Sequence, residues 1–524
     1  MKSYLLAFLV LVFMLAACGS PAATNTPETP ATTSSPTPTT QLAPAYPPVE
    51  GTEPSPRVAA FYYPWYQSLP HDRQWIHWDE GGLFPPEVVA SDYYPTLGAY
   101  SSLDPMVVAQ HFAWMRQAGI GVIFSSWWGQ GSREEAPVPL LLEMGERYGI
   151  KVAFLIEPYQ GRSASQLVDD IKYIYDHFGS HPAFFRTSQG SLWSIGEKQQ
   201  GLFLMWGAIV ESSVNTEGDT AAYWASAMDE IHALPDGGVM ITDENGSEWV
   251  SQGHFDGSYK YGALDTDMAE PYTFASALPA GSWYIPGINP GFDRTHVAGG
   301  KDSTFSPRRN GEAYAERWQA MFDLGIEPQM VAITTFNEWH EGTQIEPAAS
   351  SVVSKTGYVY KDYESLPPDG YLTLTRQWVD VFLAHDWPVG HKVTFRVVTT
   401  SDWTFLRLVK GGTMTQPNVV FSSPEVNFAG GQGDRFELSQ PLERAEMGKK
   451  VEMVVEANIN PAGGDEPLIF EIGRGGLGYT MVEVIGSAGV DSEPVATWWW
   501  DGFTSNDGNT RTFELSASSS LFPF

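Results

Sequence analysis

The sequence predicts an α/β chain: a (β/α)8 TIM barrel followed by a C-terminal all-β sandwich. Two observations predict it. From Arg57 onward, short runs rich in β-branched and aromatic residues alternate with longer stretches of helical periodicity, the pattern of strands wrapped by helices. After Trp387-Pro388 the helical stretches stop, and strand-like runs separated by Gly and Pro turns take over. The length agrees with both, since 524 residues exceed one ordinary core, and a hydrophobic content of 43% can offset the entropy of folding over most of the chain.

Taken in order, residues 1–18 read as a signal segment. Lys2 gives a positive start, and Tyr4 to Leu15 is apolar but too short to span a bilayer comfortably. Leu15-Ala16-Ala17-Cys18 resembles a bacterial lipobox, in which the signal is cleaved before the cysteine and the thiol receives a lipid. Cys18 is the single cysteine, so no disulfide within the chain can support the fold. Gly19 follows it rather than Asp, so no inner-membrane retention signal is present. The expected location is the extracellular face of the cell envelope, held there by the lipid alone. Residues 19–56, rich in Pro, Thr, Ala and Ser, cannot bury a core and read as a disordered tether.

The barrel domain is expected over 57–388. Its eight strands are assigned to Val58–Trp65, Gly121–Trp128, Lys151–Pro158, Gly201–Val210, Gly238–Asp243, Phe255–Tyr261, Ser282–Ile288 and Met330–Phe336. Helices are expected at Asp104–Ala118, Ala136–Tyr148, Ser163–His177, Asp219–Ala233 and Asn310–Leu324, with a closing helix around Tyr371–His385. The sandwich, 389–524, is expected to use strands at His391–Thr400, Thr404–Val409, Lys450–Ala457, Pro467–Gly473 and Arg511–Ser516.

Charge and composition exclude some functions. A net charge of −32 repels phosphate backbones, so nucleic acid is not an expected partner. The 19 Trp and 23 Tyr suit a protein that meets the flat C–H faces of sugar rings, although most of them must serve the core. The eleven histidines show no zinc spacing, no acidic loop matches a calcium pattern, and no glycine-rich phosphate loop follows a strand. No cofactor and no metal are expected, and the chain is expected to act as a monomer.

In barrels that are enzymes, the catalytic groups lie at the C-terminal ends of the strands. Polar and aromatic residues gather at five such ends here: Tyr62-Tyr63-Pro64-Trp65-Tyr66, Ser125-Ser126-Trp127-Trp128-Gly129, Glu157-Pro158-Tyr159, Asp256-Gly257-Ser258-Tyr259, and Asn337-Glu338-Trp339-His340-Glu341. Glu338 and Glu341 follow directly on an apolar strand. Three positions apart in a loop, both can face the barrel axis, as glycoside hydrolysis by two carboxyl groups requires. Asn337 and His340 can supply hydrogen bonds that tune them. A solvated acidic loop would seldom interleave Trp, His and Phe with its acids.

The run Phe336-Asn337-Glu338-Trp339-His340-Glu341-Gly342-Thr343-Gln344-Ile345-Glu346-Pro347 resembles the signature of glycoside hydrolase family 99, the endo-α-mannosidases and endo-α-mannanases. Supporting pieces are Phe61 to Tyr66, Ile76-His77-Trp78, Tyr94 to Gly98, Tyr100 to Pro105, Ser126 to Gly129, Ile156 to Tyr159, Phe255-Asp256-Gly257 and Pro290 to Thr295. The resemblance covers roughly 57–388. It implies a retaining endo-hydrolase without a metal, with Glu341 as general acid and then base. Glu338 would help the 2-hydroxyl of the cleaved sugar attack its own anomeric carbon. It also implies sugar contacts from Tyr63, Trp127, Glu157 and Tyr259, and His77, Trp78, Trp128, Tyr159, Asn337, Trp339 and His340 complete the candidate substrate-binding set.

One departure concerns specificity. Where the family has a Tyr-Asp-Ser-type ending on its fourth strand, this chain reads Phe203-Leu204-Met205-Trp206-Gly207. Two other readings therefore stand beside the α-mannan hydrolase: a related hydrolase of another α-glycan, and a non-catalytic glycan-binding surface lipoprotein. In the C-terminal region, Trp498-Trp499-Trp500 fits either a carbohydrate platform or an edge strand with alternate residues buried.

Overall fold

The computed structural model describes residues 46–515 except 197, 211–220, 263–273, 280, 300–304, 386, 388–390, 402, 424–426, 430–434, 440–449, 462–466, 476, 487–493 and 504–509. The signal segment, Cys18 and most of the expected tether lie outside the described residues. Among the described residues, no helix is long and apolar enough to cross a membrane.

Eight parallel strands form the barrel: β1 (Ser55–Tyr62), β2 (Ile120–Trp127), β3 (Lys151–Ile156), β4 (Gln200–Met205), β5 (Val239–Thr242), β6 (Gly257–Tyr259), β7 (Trp283–Ile285 and Gly287–Ile288) and β8 (Val331–Ile333). Each pairs with the next, and β8 also pairs with β1. Pro286 interrupts β7, so its first half bonds to β6 and its second half to β8, bringing the two ends of the sheet together. Around it lie helices Pro105–Gln117, Val138–Tyr148, Ala164–Phe178, Ala225–Ala233, Glu312–Asp323 and Gly370–Ala384. Asp104 caps the first through Met106 N at 2.9 Å, and Ser163 caps the third through Gln166 N at 3.2 Å.

Three departures from the expected elements bear on the barrel. β1 begins at Ser55, and residues before it already pack on the barrel: Tyr148 Oη donates to the carbonyl of Pro47, and Arg116 pairs with Glu53 at 3.0 Å. The fourth strand stops at Met205 rather than Val210, because Gly207 turns the chain at φ +66°. A short helix, Ser247–Ser251, sits between β5 and β6; five residues are too few to show a helical period in the sequence.

Side-chain alternation divides the barrel core in two. Ala59, Phe61, Val122, Phe124, Ala153, Leu155, Leu202, Leu204, Val239 and Ile241 fill the barrel interior. Their neighbours Val58, Ala60, Ile123, Phe154, Phe203 and Met240 face the helices, against Phe112, Leu141, Ile171 and Trp318. The period of two that builds the strands therefore also decides which rim residues point to the axis.

The C-terminal region forms two five-stranded antiparallel sheets. One contains Gly412–Ser422, Val451–Pro461, His391–Thr399, Leu477–Gly486 and Ala496–Phe503; the other contains Asn427–Ala429, Arg435–Ser439, Trp403–Lys410, Leu468–Arg474 and Thr510–Leu515. Val393, Phe395, Leu406, Met453, Phe470, Val482, Trp498 and Trp500 share one core. Ala496–Phe503 is an edge strand in which Trp498 and Trp500 are buried and Trp499 is 60% exposed. The three tryptophans thus follow the alternation of an edge strand.

Candidate active site

At the C-terminal mouth of the barrel, an open cleft is lined by Tyr63, Trp65, Trp128, Leu155, Glu157, Pro158, Trp206, Tyr261, Glu338 and Glu341. Parity explains the set. Tyr63 continues the inward register of Ala59 and Phe61, Glu157 that of Ala153 and Leu155, and Trp206 that of Leu202 and Leu204.

Glu338 and Glu341 follow β8 and reach the cleft from one loop. Glu338 is buried, and the backbone N–H of His340 donates to its Oε1 at 2.9 Å. Burial and the neighbouring Glu341 push its carboxyl well above the usual range. Glu341 accepts from Tyr261 Oη at 3.3 Å, and Tyr261 Oη accepts from Tyr63 Oη at 2.9 Å. Burial raises the Glu341 carboxyl to about 6, against the lowering effects of the Tyr261 hydroxyl and Arg294. Held in this way, Glu341 keeps its proton to higher pH than an exposed carboxyl does, as a general acid requires.

Glu157 closes the opposite wall. Ser126 Oγ donates to its Oε1 at 2.8 Å and accepts from Trp128 Nε1 at 3.0 Å. Burial raises Glu157 to about 7. Behind it, the buried Arg162 ties β3 to the end of β4 by donating to the carbonyls of Ile156 and Gly207, each at 3.0 Å.

The catalytic loop is braced from behind. Asn337 is buried and clamps β1, its Oδ1 accepting from Tyr63 N at 2.8 Å and its Nδ2 donating to Tyr63 O at 3.0 Å. Tyr66 Oη donates to Asn337 O and accepts from Trp339 N, both at 3.1 Å. Arg308, caged by the rings of Tyr93, Tyr363 and Tyr371 at 4.6–5.0 Å, donates to the carbonyls of Gly342 and Gln344. Gly342 has φ +61°, and a Cβ there would stand 2.5 Å from Asp293 O, so the loop requires glycine at this point.

Several expected substrate contacts are placed elsewhere. Trp127 lies on the outward register of β2 and is buried among the barrel–helix layer. Trp78 is buried, stacked on Tyr66 at 4.2 Å, with its Nε1 bonded to Tyr100 O. Trp339 is buried and donates to Glu346 Oε2 at 2.9 Å. Tyr259 belongs to the barrel interior below the cleft, and Tyr261, one inward position further, takes its place. Tyr159 turns away to bond Asp170. Asn337 braces the loop instead of facing the cleft. His77 and His340 meet at the rim, where His340 Nε2 bonds the His77 carbonyl and the His77 ring stacks on Trp65 at 4.4 Å. Trp65, Trp206 and Tyr261 are cleft residues absent from the expected set; inward parity, counted on from Phe61, Leu204 and Tyr259, identifies all three.

A family model for glycosyl hydrolase family 99 matches residues 55–384. The mouse glycoprotein endo-alpha-1,2-mannosidase is 31% identical over 366 residues, covering 62% of this chain and 74% of its own. A human glycoprotein endo-alpha-1,2-mannosidase-like protein is 33% identical over 363 residues, covering 62% and 75%. Among solved structures, the family 99 endo-alpha-mannosidase of Bacteroides thetaiotaomicron superposes with a TM-score of 0.54 at 30% identity, over 63% of this chain and 98% of that one.

Proposed function

The chain belongs to glycosyl hydrolase family 99, and from that premise we propose that this glycoside hydrolase is a retaining, endo-acting enzyme that cleaves α-mannosidic linkages within mannan or other mannose-containing glycans. The observation that carries the reading is the Glu338/Glu341 pair on one loop in an aromatic cleft, with Glu341 on the Tyr63–Tyr261 hydroxyl chain. Glu341 gives its proton to the departing glycosidic oxygen as the C1–O bond breaks. Glu338 takes the proton of the 2-hydroxyl, whose oxygen bonds to C1. Water then attacks C1, its proton passing to Glu341, as the bond between C1 and the 2-oxygen breaks and the 2-oxygen recovers its proton from Glu338. Two inversions leave the anomeric configuration retained. The aromatic walls formed by Tyr63, Trp65, Trp128 and Trp206 suit sugar rings.

The test is a product assay of the purified protein on a panel of α-mannans and α-glucans, read by mass spectrometry, with the product anomer followed by NMR. Oligosaccharides of retained configuration from an α-mannan support the reading. Product from another α-glycan favours the related-hydrolase reading, for which Trp206 in the cleft wall is the supporting observation. Binding without product points to a capture protein. For location, we propose attachment to the outside of the cell envelope through a lipid on Cys18, resting on the Leu15-Ala16-Ala17-Cys18 motif. Palmitate labelling that persists in Cys18→Ser would remove that proposal.

A further inference from the structure

Beside the cleft, three side chains from two distant parts of the chain converge. His77 and Glu80 come from the segment after β1, and His340 comes from the loop after β8. One ligand atom from each lies within 4.8 Å of the other two. Glu80 Oε1 stands 3.0 Å from His77 Nδ1, and Glu80 Oε2 stands 3.6 Å from His340 Nδ1. The chemistry proposed above uses none of these three side chains.

The hydrogen bonds around the cluster leave it suited to a cation. His340 Nε2 is bonded to the carbonyl oxygen of His77. A carbonyl only accepts, so Nε2 carries the hydrogen, and in the neutral ring Nδ1 presents its lone pair toward Glu80. A lone pair facing a carboxylate oxygen is repulsive with nothing between them. His77 Nδ1 is buried and, for all its closeness to Glu80, makes no hydrogen bond of acceptable geometry. A carbonyl that fixes the tautomer of a metal-binding histidine through its other nitrogen is a recurrent outer-shell device.

The surroundings allow entry and set the metal class. The side chains of His77, Glu80 and His340 are 17%, 40% and 13% exposed, so solvent reaches the cluster. Two imidazoles and one carboxylate form a borderline donor set that suits zinc and its neighbours, whereas calcium and magnesium take oxygen ligands. Arg133 acts on Glu80 and Arg294 on His340; the carboxylates Glu80, Glu338 and Glu341 stand against these positive charges. We propose that His77, Glu80 and His340 form a three-ligand site for a divalent transition-metal ion of the zinc class at the mouth of the cleft, with the remaining coordination positions open to water. In the sequence, His77 and His340 are 263 positions apart, which hides the set from any motif search.

The test is metal binding itself, separate from hydrolysis. The full chain, treated with a chelator and desalted, is titrated with ZnCl2 by calorimetry and with CoCl2 by visible absorption. One equivalent is expected, with a cobalt spectrum of mixed nitrogen and oxygen ligation. Glu80→Gln and His77→Ala are each expected to weaken zinc binding by about tenfold or more, with matching thermal unfolding checked first. Absence of saturable binding, or one-equivalent binding unchanged in Glu80→Gln, overturns the site. The wild-type cobalt spectrum decides the matter even if a variant misfolds, because an all-oxygen spectrum also overturns it.

Discussion

Glu338 and Glu341 are close in sequence, yet their surroundings give them different parts. Glu341 alone lies on the hydroxyl chain from Tyr63 through Tyr261, while Glu338 is held by a backbone N–H. Glu341→Gln keeps the size and the hydrogen bond but loses the transferable proton. It should lower kcat by about 10²–10⁴-fold with oligosaccharide affinity unchanged, measured by turnover beside calorimetry of the same variant. Tyr261 lowers the Glu341 carboxyl by bonding its charged form. Glu341 must carry its proton to act as the acid, so kcat/KM should fall as pH rises through about 6. Tyr261→Phe removes the lowering bond, and the alkaline limb of the profile should move to higher pH. A limb that stays in place would detach Tyr261 from Glu341. Glu157 carries a stability test. Its carboxyl titrates near 7 when folded against an ordinary 4.5, so the unfolded chain releases this proton first. Its contribution is full below 4.5 and is lost as pH rises through 7. Glu157→Gln should therefore raise Tm by a few degrees at about pH 8 and leave it unchanged at about pH 4, by calorimetric scans.

At the scale of elements, the loop after β8 is exact because other elements hold its backbone. Tyr66 fixes Asn337 and Trp339, Ser91 Oγ donates to Trp339 O at 2.9 Å, and Arg308 takes Gly342 and Gln344. Arg308 is buried, and its Nη2 alone donates to both carbonyls. Arg308→Lys loses the planar group that the three tyrosine rings hold in place against the carbonyls, and should destabilise the fold by about 1–3 kcal/mol for each carbonyl left unsatisfied, read from denaturant midpoints. The same variant should lower kcat more than it alters KM, since the loop carries both carboxyls. A variant that loses stability while keeping kcat would make Arg308 a matter of folding alone. The loop motif was legible in the sequence because it is long and follows an apolar strand. The bracing was not: Asn337, Trp78 and Trp339 resemble sugar contacts by residue type, and only their hydrogen bonds to Tyr63, Tyr100 and Glu346 show them serving the loop. Trp127 and Tyr261 were open to a better reading, because strand parity separates outward from inward positions.

At the scale of the whole molecule, the alternation of strands and helices made the barrel legible, and the short strands were the hardest to bound. β6 keeps three residues and β7 breaks at Pro286, where periodicity has too few positions to speak. In the C-terminal region, five strands were expected and ten form among the described residues. The unexpected ones include Gly412–Ser422, with Pro417 inside it, and Leu477–Gly486, whose pattern is broken by Gly478. The Trp498-Trp499-Trp500 run shows how the sheet decides between two readings of one motif. Trp498 stacks on Phe513 at 5.3 Å and Trp500 lies under the guanidinium of Arg474 at 4.7 Å, so both belong to the core of the sheets. A sugar platform would then rest on Trp499 alone, beside Tyr479 at 6.1 Å. One ring offers little area against the cost of ordering a glycan chain. Trp499→Ala should therefore change retention on an immobilised α-mannan by less than about twofold, a difference below 0.5 kcal/mol in affinity. Its kinetics on soluble oligosaccharides should match the parent protein, because Trp499 lines no part of the cleft. A large loss of retention with intact turnover would instead make this edge strand a glycan-binding surface in its own right, with Trp499 as its anchor.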